Sequence, residues 1–174
     1  MPEHLGPLEL VGARWVIGDA TRKDGLSLLL TPEGLEQHRR GETPALVSTE
    51  WTQLMELRMR AAYQKWQASP GAGIFGGFQP RADFGRDGCS LHGIRRDPYE
   101  PWSVRYTHHE RRYKGGHVIV LKTLFNELTE AKALDRLGDT EWLGAAVAKL
   151  SPYTSRYAPK GIQLVKETIQ SLGV

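Results

Sequence analysis

The sequence predicts an α+β protein: an antiparallel sheet or small, partly closed barrel of about seven strands, followed by C-terminal helices. Short apolar runs separated by turn signals fill residues 8–51, a pattern typical of β-hairpins. From residue 123 onward, apolar residues instead recur at helical spacing. Because the strands come first and the helices last, the order favours an antiparallel sheet over alternating βαβ units.

Glycine and proline delimit the first strands. Pro32 presets φ and Gly34 permits a positive φ, so a tight turn is expected there. Asp24-Gly25 is a second turn signal, and the run near Val47 ends close to Trp51. The strands predicted in this part are 8–17, 26–30, 35–38 and 45–47.

The periodicity changes after Thr49. Over residues 49–67 apolar side chains fit both helical spacing and strand alternation, so we predict a strand that turns into a helix. Residues 69–88 contain six glycines and two prolines, which predicts a long loop. Such a loop is either mobile or functional.

The rest of the chain completes the sheet and adds helices. Gly115-Gly116 reads as a hairpin turn that leads into the last strand. Gly138 closes the first helix, and Asp139 is a good N-cap for the second. The predicted strands are 89–96, 102–108 and 117–122, and the predicted helices are 124–134, 139–150 and 162–172.

The order of the predicted strands and helices divides the chain into two units. Residues 1–151 are predicted to form one α+β domain, and residues 152–174 a polar linker with an amphipathic helix. That helix could pack on its own sheet or on a second chain. The five tryptophans are spread through strands and helices, so most of them should anchor the core.

The element order resembles that of bacterial pleckstrin-homology-like (PH-like) domains. The matching parts are the hairpin run 26–48, the strand end Glu50-Trp51, the hairpin 102–122 around Gly115-Gly116, and the helix 139–150 with Trp142 inward. The resemblance implies a binding or assembly module without catalytic machinery. It leaves open whether the ligand is a protein, a peptide or a phosphoinositide.

Composition narrows the class of protein. The chain has 23 Lys and Arg against 20 Asp and Glu, a formal charge of +3, which alone does not indicate nucleic-acid binding. Cys89 is the only cysteine, so no intrachain disulfide forms and a reducing, cytoplasmic location is expected. Neither a secretory signal nor a membrane-spanning apolar run is evident, so no integral membrane association is expected.

The loop 69–88 holds one candidate binding tip. Ile74, Phe75 and Phe78 are apolar residues in a glycine-rich loop, which suits docking to a protein partner. Residues 71–76 also spell G-x-G-x-x-G, but the expected strand before and helix after this motif are missing, so no cofactor is predicted.

A basic hairpin over residues 105–117 is the second candidate. Basic groups neutralise phosphates and aromatic rings stack on bases, so this stretch has the composition of a nucleic-acid surface. It is equally typical of a solvated hairpin tip. The candidate binding residues here and on the neighbouring strand are Arg95, Arg96, Arg105, Tyr106, Arg111, Arg112 and Lys114.

Two chemical alternatives use the same region. A small ribonuclease would need a base and an arginine at one phosphate, and His108, His109, Glu110 and Arg112 are of those types. Residues adjacent in sequence seldom converge on one atom, so no catalytic site is predicted. We predict no metal site. The alternative is a tetrahedral zinc site, because cysteine and histidine are zinc ligands and the chain has Cys89, His92 and His108 in this region.

The sequence thus predicts a non-catalytic binding or assembly module in the cytoplasm, which binds a protein partner or itself. The alternative is a nucleic-acid-binding protein or small ribonuclease that uses the hairpin 105–117.

Overall fold

Nine strands in the described part of the chain form two antiparallel sheets and confirm the α+β class. The computed structural model describes residues 4–62 and 89–174. The six-stranded sheet contains β1 (His4–Leu5), β2 (Leu8–Val11), β3 (Arg14–Ile17), β4 (Leu26–Leu30), β5 (Gly34–Arg39) and β6 (Val47–Glu50). The three-stranded sheet contains β7 (Leu54–Arg60), β8 (Ser90–Arg95) and β9 (Glu100–Arg105). Within these ranges the strands remain two sheets and do not close into one barrel.

The six-stranded sheet is a meander in which each strand pairs with the next along the chain. The prediction of a single strand over 8–17 was wrong, because Gly12 turns the chain between β2 and β3. Gly12 has φ +64°, a conformation that residues with a side chain rarely adopt. The turn predicted at 31–34 is present, and the Thr31 hydroxyl accepts a hydrogen bond from the Gly34 N–H at 3.1 Å.

A single 3₁₀ turn, Trp51–Gln53, carries the chain from one sheet to the other. The strand predicted within 49–67 is β7, whereas residues 63–67 of the expected helix lie outside the described residues. The predicted loop 69–88 also lies outside them.

The two sheets are joined by hydrogen bonds from β9 and the residues that follow it. The Trp102 indole N–H donates to Thr49 Oγ1 at 3.0 Å, and Gln37 Nε2 donates to the Arg105 carbonyl at 2.9 Å. The Thr107 N–H donates to the Leu26 carbonyl at 2.8 Å. These bonds fix the position of the chain after β9, which carries seven of the predicted site residues.

Three α-helices follow the strands. They are α1 (Gly115–Glu130), α2 (Thr140–Leu150) and α3 (Ala158–Ser171), with a 3₁₀ segment Leu134–Gly138 between the first two. Asp139 caps α2 as predicted, because its Oδ1 accepts from the N–H groups of Glu141 at 3.1 Å and Trp142 at 3.0 Å.

The predicted strand 117–122 and the hairpin turn at Gly115-Gly116 were wrong. Both belong to α1, whose buried stripe runs from His117 to Leu128. A Cβ on Gly116 would lie 2.5–2.7 Å from the backbone of Tyr153 and Thr154, so this glycine permits close packing and does not form a turn. The β-branched residues 118–120 favoured a strand locally, but the burial of Val118 and Val120 in the core stabilises the helix.

Helix α1 lies along the outer edge of β7. The Thr129 hydroxyl accepts from the Leu57 N–H at 3.2 Å and donates to the Leu57 carbonyl at 3.3 Å. A side chain of the helix therefore satisfies both backbone groups that Leu57 presents at the edge of the sheet.

One hydrophobic core is shared by both sheets and all three helices. Helix α3 packs against α1 and α2 of its own chain, and the Trp142 indole donates to the Leu172 carbonyl at 3.2 Å. Four of the five tryptophans are buried as predicted, and the fifth, Trp66, lies outside the described residues. None of the helices in the described ranges has the length and apolar character needed to span a bilayer.

Candidate functional site

Residues 106–114, here called the linking segment, connect β9 to α1 without forming a hairpin. The prediction of a basic hairpin over 105–117 was therefore wrong. The side chains of Tyr106, His108, His109 and Tyr113 are 2–4% exposed, so their rings are not available for stacking on bases. The Tyr106 hydroxyl donates to the Arg60 carbonyl at 2.9 Å, which holds the segment against β7.

His109 lies between a phenol and a carboxylate. The Tyr113 hydroxyl accepts from the His109 backbone N–H at 3.1 Å and lies within hydrogen-bond distance of His109 Nδ1, at 2.8 Å. Nε2 lies 3.0 Å from Glu9 Oε1, an ion-pair distance without the alignment of a hydrogen bond.

Arg111 completes this network from the surface. Its Nη1 lies 3.0 Å from Glu9 Oε2, and its Nη2 donates to the Gly6 carbonyl at 3.1 Å. Burial acts to raise the pKa of Glu9, but the contacts with His109 and Arg111 outweigh it, so the pKa lies below its usual value. The carboxylate therefore stays charged and ties the linking segment to β2.

His108 and His117 also use their ring nitrogens to hold the fold. His108 Nε2 lies 3.0 Å from the Ala62 carbonyl, and its ring stacks on Tyr113 with centroids 4.2 Å apart. His117 Nδ1 accepts from the Gly6 N–H at 3.4 Å, and Nε2 donates to the Ser151 carbonyl at 2.8 Å. Burial lowers the pKa of both histidines.

The four residues of the ribonuclease alternative do not share an accessible face. His108 and His109 are buried and bonded within the protein, whereas Glu110 and Arg112 are exposed. A ribonuclease of this type requires the histidine or glutamate base and the arginine to reach the same phosphate of the substrate. Nothing in this placement supports that chemistry.

The metal-ligand alternative is not assembled either. Cys89 and His92 are three positions apart on extended chain, which directs their side chains to opposite faces of the sheet. Burial raises the pKa of the Cys89 thiol, which disfavours the thiolate that a metal needs. Within residues 4–62 and 89–174, no three His, Cys, Asp or Glu side chains are grouped to hold a metal ion.

The remaining predicted binding residues are dispersed. Arg95 pairs with Glu100 across the β8–β9 hairpin, and Lys114 is exposed immediately before α1. Arg105 is exposed at the end of β9, and Arg96 follows β8. Ile74, Phe75 and Phe78 lie outside the described residues.

The strand register assembles a basic surface that the sequence analysis did not predict as a unit, although Arg105 was a predicted binding residue and His92 a metal-ligand alternative. Arg58, His92 and Ser103 are direct cross-strand neighbours on β7, β8 and β9, and so are Arg60, Ser90 and Arg105. The two rows lie on one face because side chains two positions apart on a strand share a face. We call these six residues the sheet face. The sequence signal that could have indicated this surface is the alternation of Arg58 and Arg60 with apolar residues.

A groove of about 700 Å³ opens where β7 begins and α1 ends. Trp51, Leu54 and Leu134 are buried beneath it, and Met55 is 44% exposed at its side. Its polar and charged lining residues are Thr52, Arg96, Thr129, Lys132 and Asp135. Of the predicted binding residues that the structure describes, only Arg96 lines this groove.

No protein-family model, curated protein or solved structure matches this chain.

Proposed function

We propose that this protein is a non-catalytic binding module that takes an extended segment of a protein partner in the groove between β7 and α1. The observation that carries the proposal is the groove itself, an apolar floor with a charged rim at the edge of a sheet. An exposed strand edge beside side-chain pockets is a recurring site for binding extended peptides.

The groove has features that suit one kind of peptide. Met55 offers an exposed apolar contact for one apolar side chain of the partner. Arg96 and Lys132 lie on the rim, and Asp135 is the one carboxylate among the lining residues that the structure describes. This charge distribution favours acidic residues beside the apolar anchor, since complementary charges steer a partner and fix its register.

The edge of β7 supports the same mode of binding. Thr129 already occupies the backbone groups of Leu57, so α1 covers the middle of this strand. The groove lies nearer the start of the strand, next to Leu54 and Met55. A partner segment there would extend the three-stranded sheet at the part of its edge that Thr129 leaves uncovered.

We also propose that the chain is a PH-like domain, and the order of its elements supports this proposal. The seven strands β3–β9 are followed by α1, which is the order of about seven strands and then a helix on which the resemblance rests. The helix in this position is α1 and not the helix 139–150 on which the resemblance relied. A protein or peptide ligand is among those that this family binds.

Peptide selection tests the proposal. A displayed library of linear peptides is selected on the full-length chain, and fluorescence polarisation measures binding of the selected peptides. We expect an apolar residue beside acidic residues, and a loss of affinity of about tenfold or more in Met55→Asp. Val11 is 43% exposed on β2, so Val11→Asp is the matched control and should bind as the parent does.

Three outcomes contradict the proposal. The first is that no peptide is enriched, and the second is that Met55→Asp and Val11→Asp reduce binding equally. The third is a self-association, seen by sedimentation without peptide, that Met55→Asp abolishes. This last result would assign the groove to a second copy of the chain.

A further inference from the structure

The turn between β1 and β2 is held by two side chains that follow β9 in the chain. The Gly6 N–H donates to His117 Nδ1 at 3.4 Å, and the Gly6 carbonyl accepts from Arg111 Nη2 at 3.1 Å. A Cβ on Gly6 would lie 3.7–3.8 Å from atoms of His117 and Val118, so the turn packs on the start of α1. Strand β1 stands at the edge of the six-stranded sheet beside β2 and contacts α1 and α2. Its position therefore depends on β2, on these helices and on the two bonds of Gly6.

The hydrogen bond between Gly6 and His117 requires a neutral imidazole ring. A backbone N–H only donates, so His117 Nδ1 accepts and the ring proton is on Nε2, which donates to the Ser151 carbonyl at 2.8 Å. A protonated imidazole carries a hydrogen on both nitrogens and has no acceptor left. Protonation of His117 therefore turns the Nδ1 contact into two opposed N–H groups and removes one of the two bonds of the turn.

A second histidine and two cations lie near this ring. The His4 ring on β1 lies 5.7 Å from the His117 ring, measured between the two centroids. Burial lowers the pKa of both histidines, and the charges of Arg111 and Lys114 lower it further. Both rings therefore take up a proton more easily once β1 has moved away from α1 into water.

The other charged groups around the turn do not reverse this effect in the described part of the chain. On β2, Glu9 favours a protonated His4, but its carboxylate already contacts His109 and Arg111. In the segment after α2, the Arg156 side chain lies against the first residue of α1 and adds a further cation there. Separation of β1 from α1 is thus the change that relieves the positive charge of a protonated ring.

We propose that β1 and the β1–β2 turn form an acid-sensitive latch, which detaches from α1 when His117 takes up a proton while β2–β6 and the helices stay folded. The hydrogen bonds of His117 carry this proposal, because the acceptor nitrogen of its neutral ring is occupied by the Gly6 N–H. Leu5 on β1 is fully buried, so release of the latch exposes an apolar side chain and the part of α1 that β1 contacts. The latch lies at the start of α1, whereas the groove lies at its end.

Amide hydrogen exchange of the full chain, measured by nuclear magnetic resonance between pH 7.5 and 5, tests the proposal. Each rate is divided into that of an unstructured peptide at the same pH, which gives a protection factor. The closed latch keeps His117 neutral, whereas the open latch gives it the ordinary pKa of 6.5, so opening is favoured as the pH falls below 6.5. We expect the protection factor of the Gly6 N–H to fall about tenfold per pH unit for each proton taken up. The Thr107 N–H, which bonds to β4, should keep its protection.

Histidine variants locate the group that takes up the proton. His117→Gln replaces the ring with a neutral amide that has both a donor and an acceptor, so the pH dependence of the Gly6 protection factor should become shallower. His4→Gln removes the second ring and should reduce the slope as well, which keeps the test open if His117→Gln does not fold. His38→Gln is the matched control, since His38 lies on β5 beside Glu36 and away from the latch, and it should leave the slope unchanged.

Three results overturn the proposal. The first is a protection factor of the Gly6 N–H that is constant between pH 7.5 and 5, or absent already at pH 7.5. The second is a parallel loss of protection at Thr107, which would mean that acid unfolds the whole protein and does not release β1 alone. The third is a slope that His38→Gln reduces as much as the variants of the latch do.

Discussion

The linking segment and the sheet face use the same kinds of side chain in opposite ways. In the linking segment, imidazole and phenol groups adjacent in sequence are buried and bonded to one another. On the sheet face, arginines and a histidine from three strands lie side by side at the surface. The comparison teaches that the density of basic residues along the chain does not show which of them lie together at the surface, whereas the strand register does.

The largest expected effect comes from removing a ring of the linking segment. Tyr113→Ala deletes the hydroxyl shared by two groups of His109 and the ring that stacks on His108. We expect the free energy of unfolding to fall by about 3–5 kcal/mol, as for other buried aromatic residues. Urea unfolding followed by circular dichroism measures this change in the free energy of unfolding.

Tyr99 is the matched control for this prediction, since it is 72% exposed whereas Tyr113 is 2% exposed. Tyr99→Ala should change the free energy of unfolding by about 0.5 kcal/mol or less. Equal effects of the two substitutions would mean that the linking segment contributes little to stability, and the contrast drawn above would fail.

An intermediate effect is expected from acid. The pKa values of His4, His108 and His117 are lowered chiefly by burial, so the unfolded chain binds more protons than the folded chain below the ordinary value of 6.5. The neutral histidines contribute their full share of the free energy of unfolding above pH 6.5, and this contribution is lost as the pH falls below that value. One extra proton bound on unfolding costs about 1.4 kcal/mol per pH unit.

The carboxylates act in a lower range of pH. The pKa values of Glu9 and Asp19 lie below their ordinary values of 4.5 and 3.8, so the stability they contribute is lost only below those values. Urea unfolding between pH 7.5 and 5 therefore reports mainly the histidines. His117→Gln should make this pH dependence shallower, and an unchanged slope would contradict the assignment.

The smallest expected effect belongs to the sheet face. Arg58 is exposed and its ion pair with Glu56 is at the surface, so Arg58→Ala should change the free energy of unfolding by about 0.5 kcal/mol or less. A large loss of stability would show that this arginine supports the fold, and the two regions would then not differ as described.

Much of the fold could be predicted because its elements are encoded locally. The turn at Pro32 and Gly34 and the cap at Asp139 depend on near neighbours in the chain. Helix α1 could not be predicted from its start, because residues 115–120 contain two glycines and β-branched residues. Their helical state depends on packing against Tyr153 and Thr154, far along the sequence.

The candidate sites were harder to predict for the same reason. The groove combines β7, the residue after β8 and the end of α1, and Arg96 is the one predicted binding residue among its described lining residues. The sheet face depends on which residues of three strands stand opposite one another. The spacing of residues along the sequence shows neither which residues line the groove nor which residues are neighbours across the strands.

The hydrogen bonds of Gly6 have a consequence for synthesis of the chain. Its N–H donates to His117 and its carbonyl accepts from Arg111, partners that follow it by 111 and 105 residues. At about 5–20 residues per second, a ribosome needs about 5–20 s to supply them. Gly6 is thus secured only after more than a hundred later residues have been made, and a chain truncated before residue 111 lacks both of these partners.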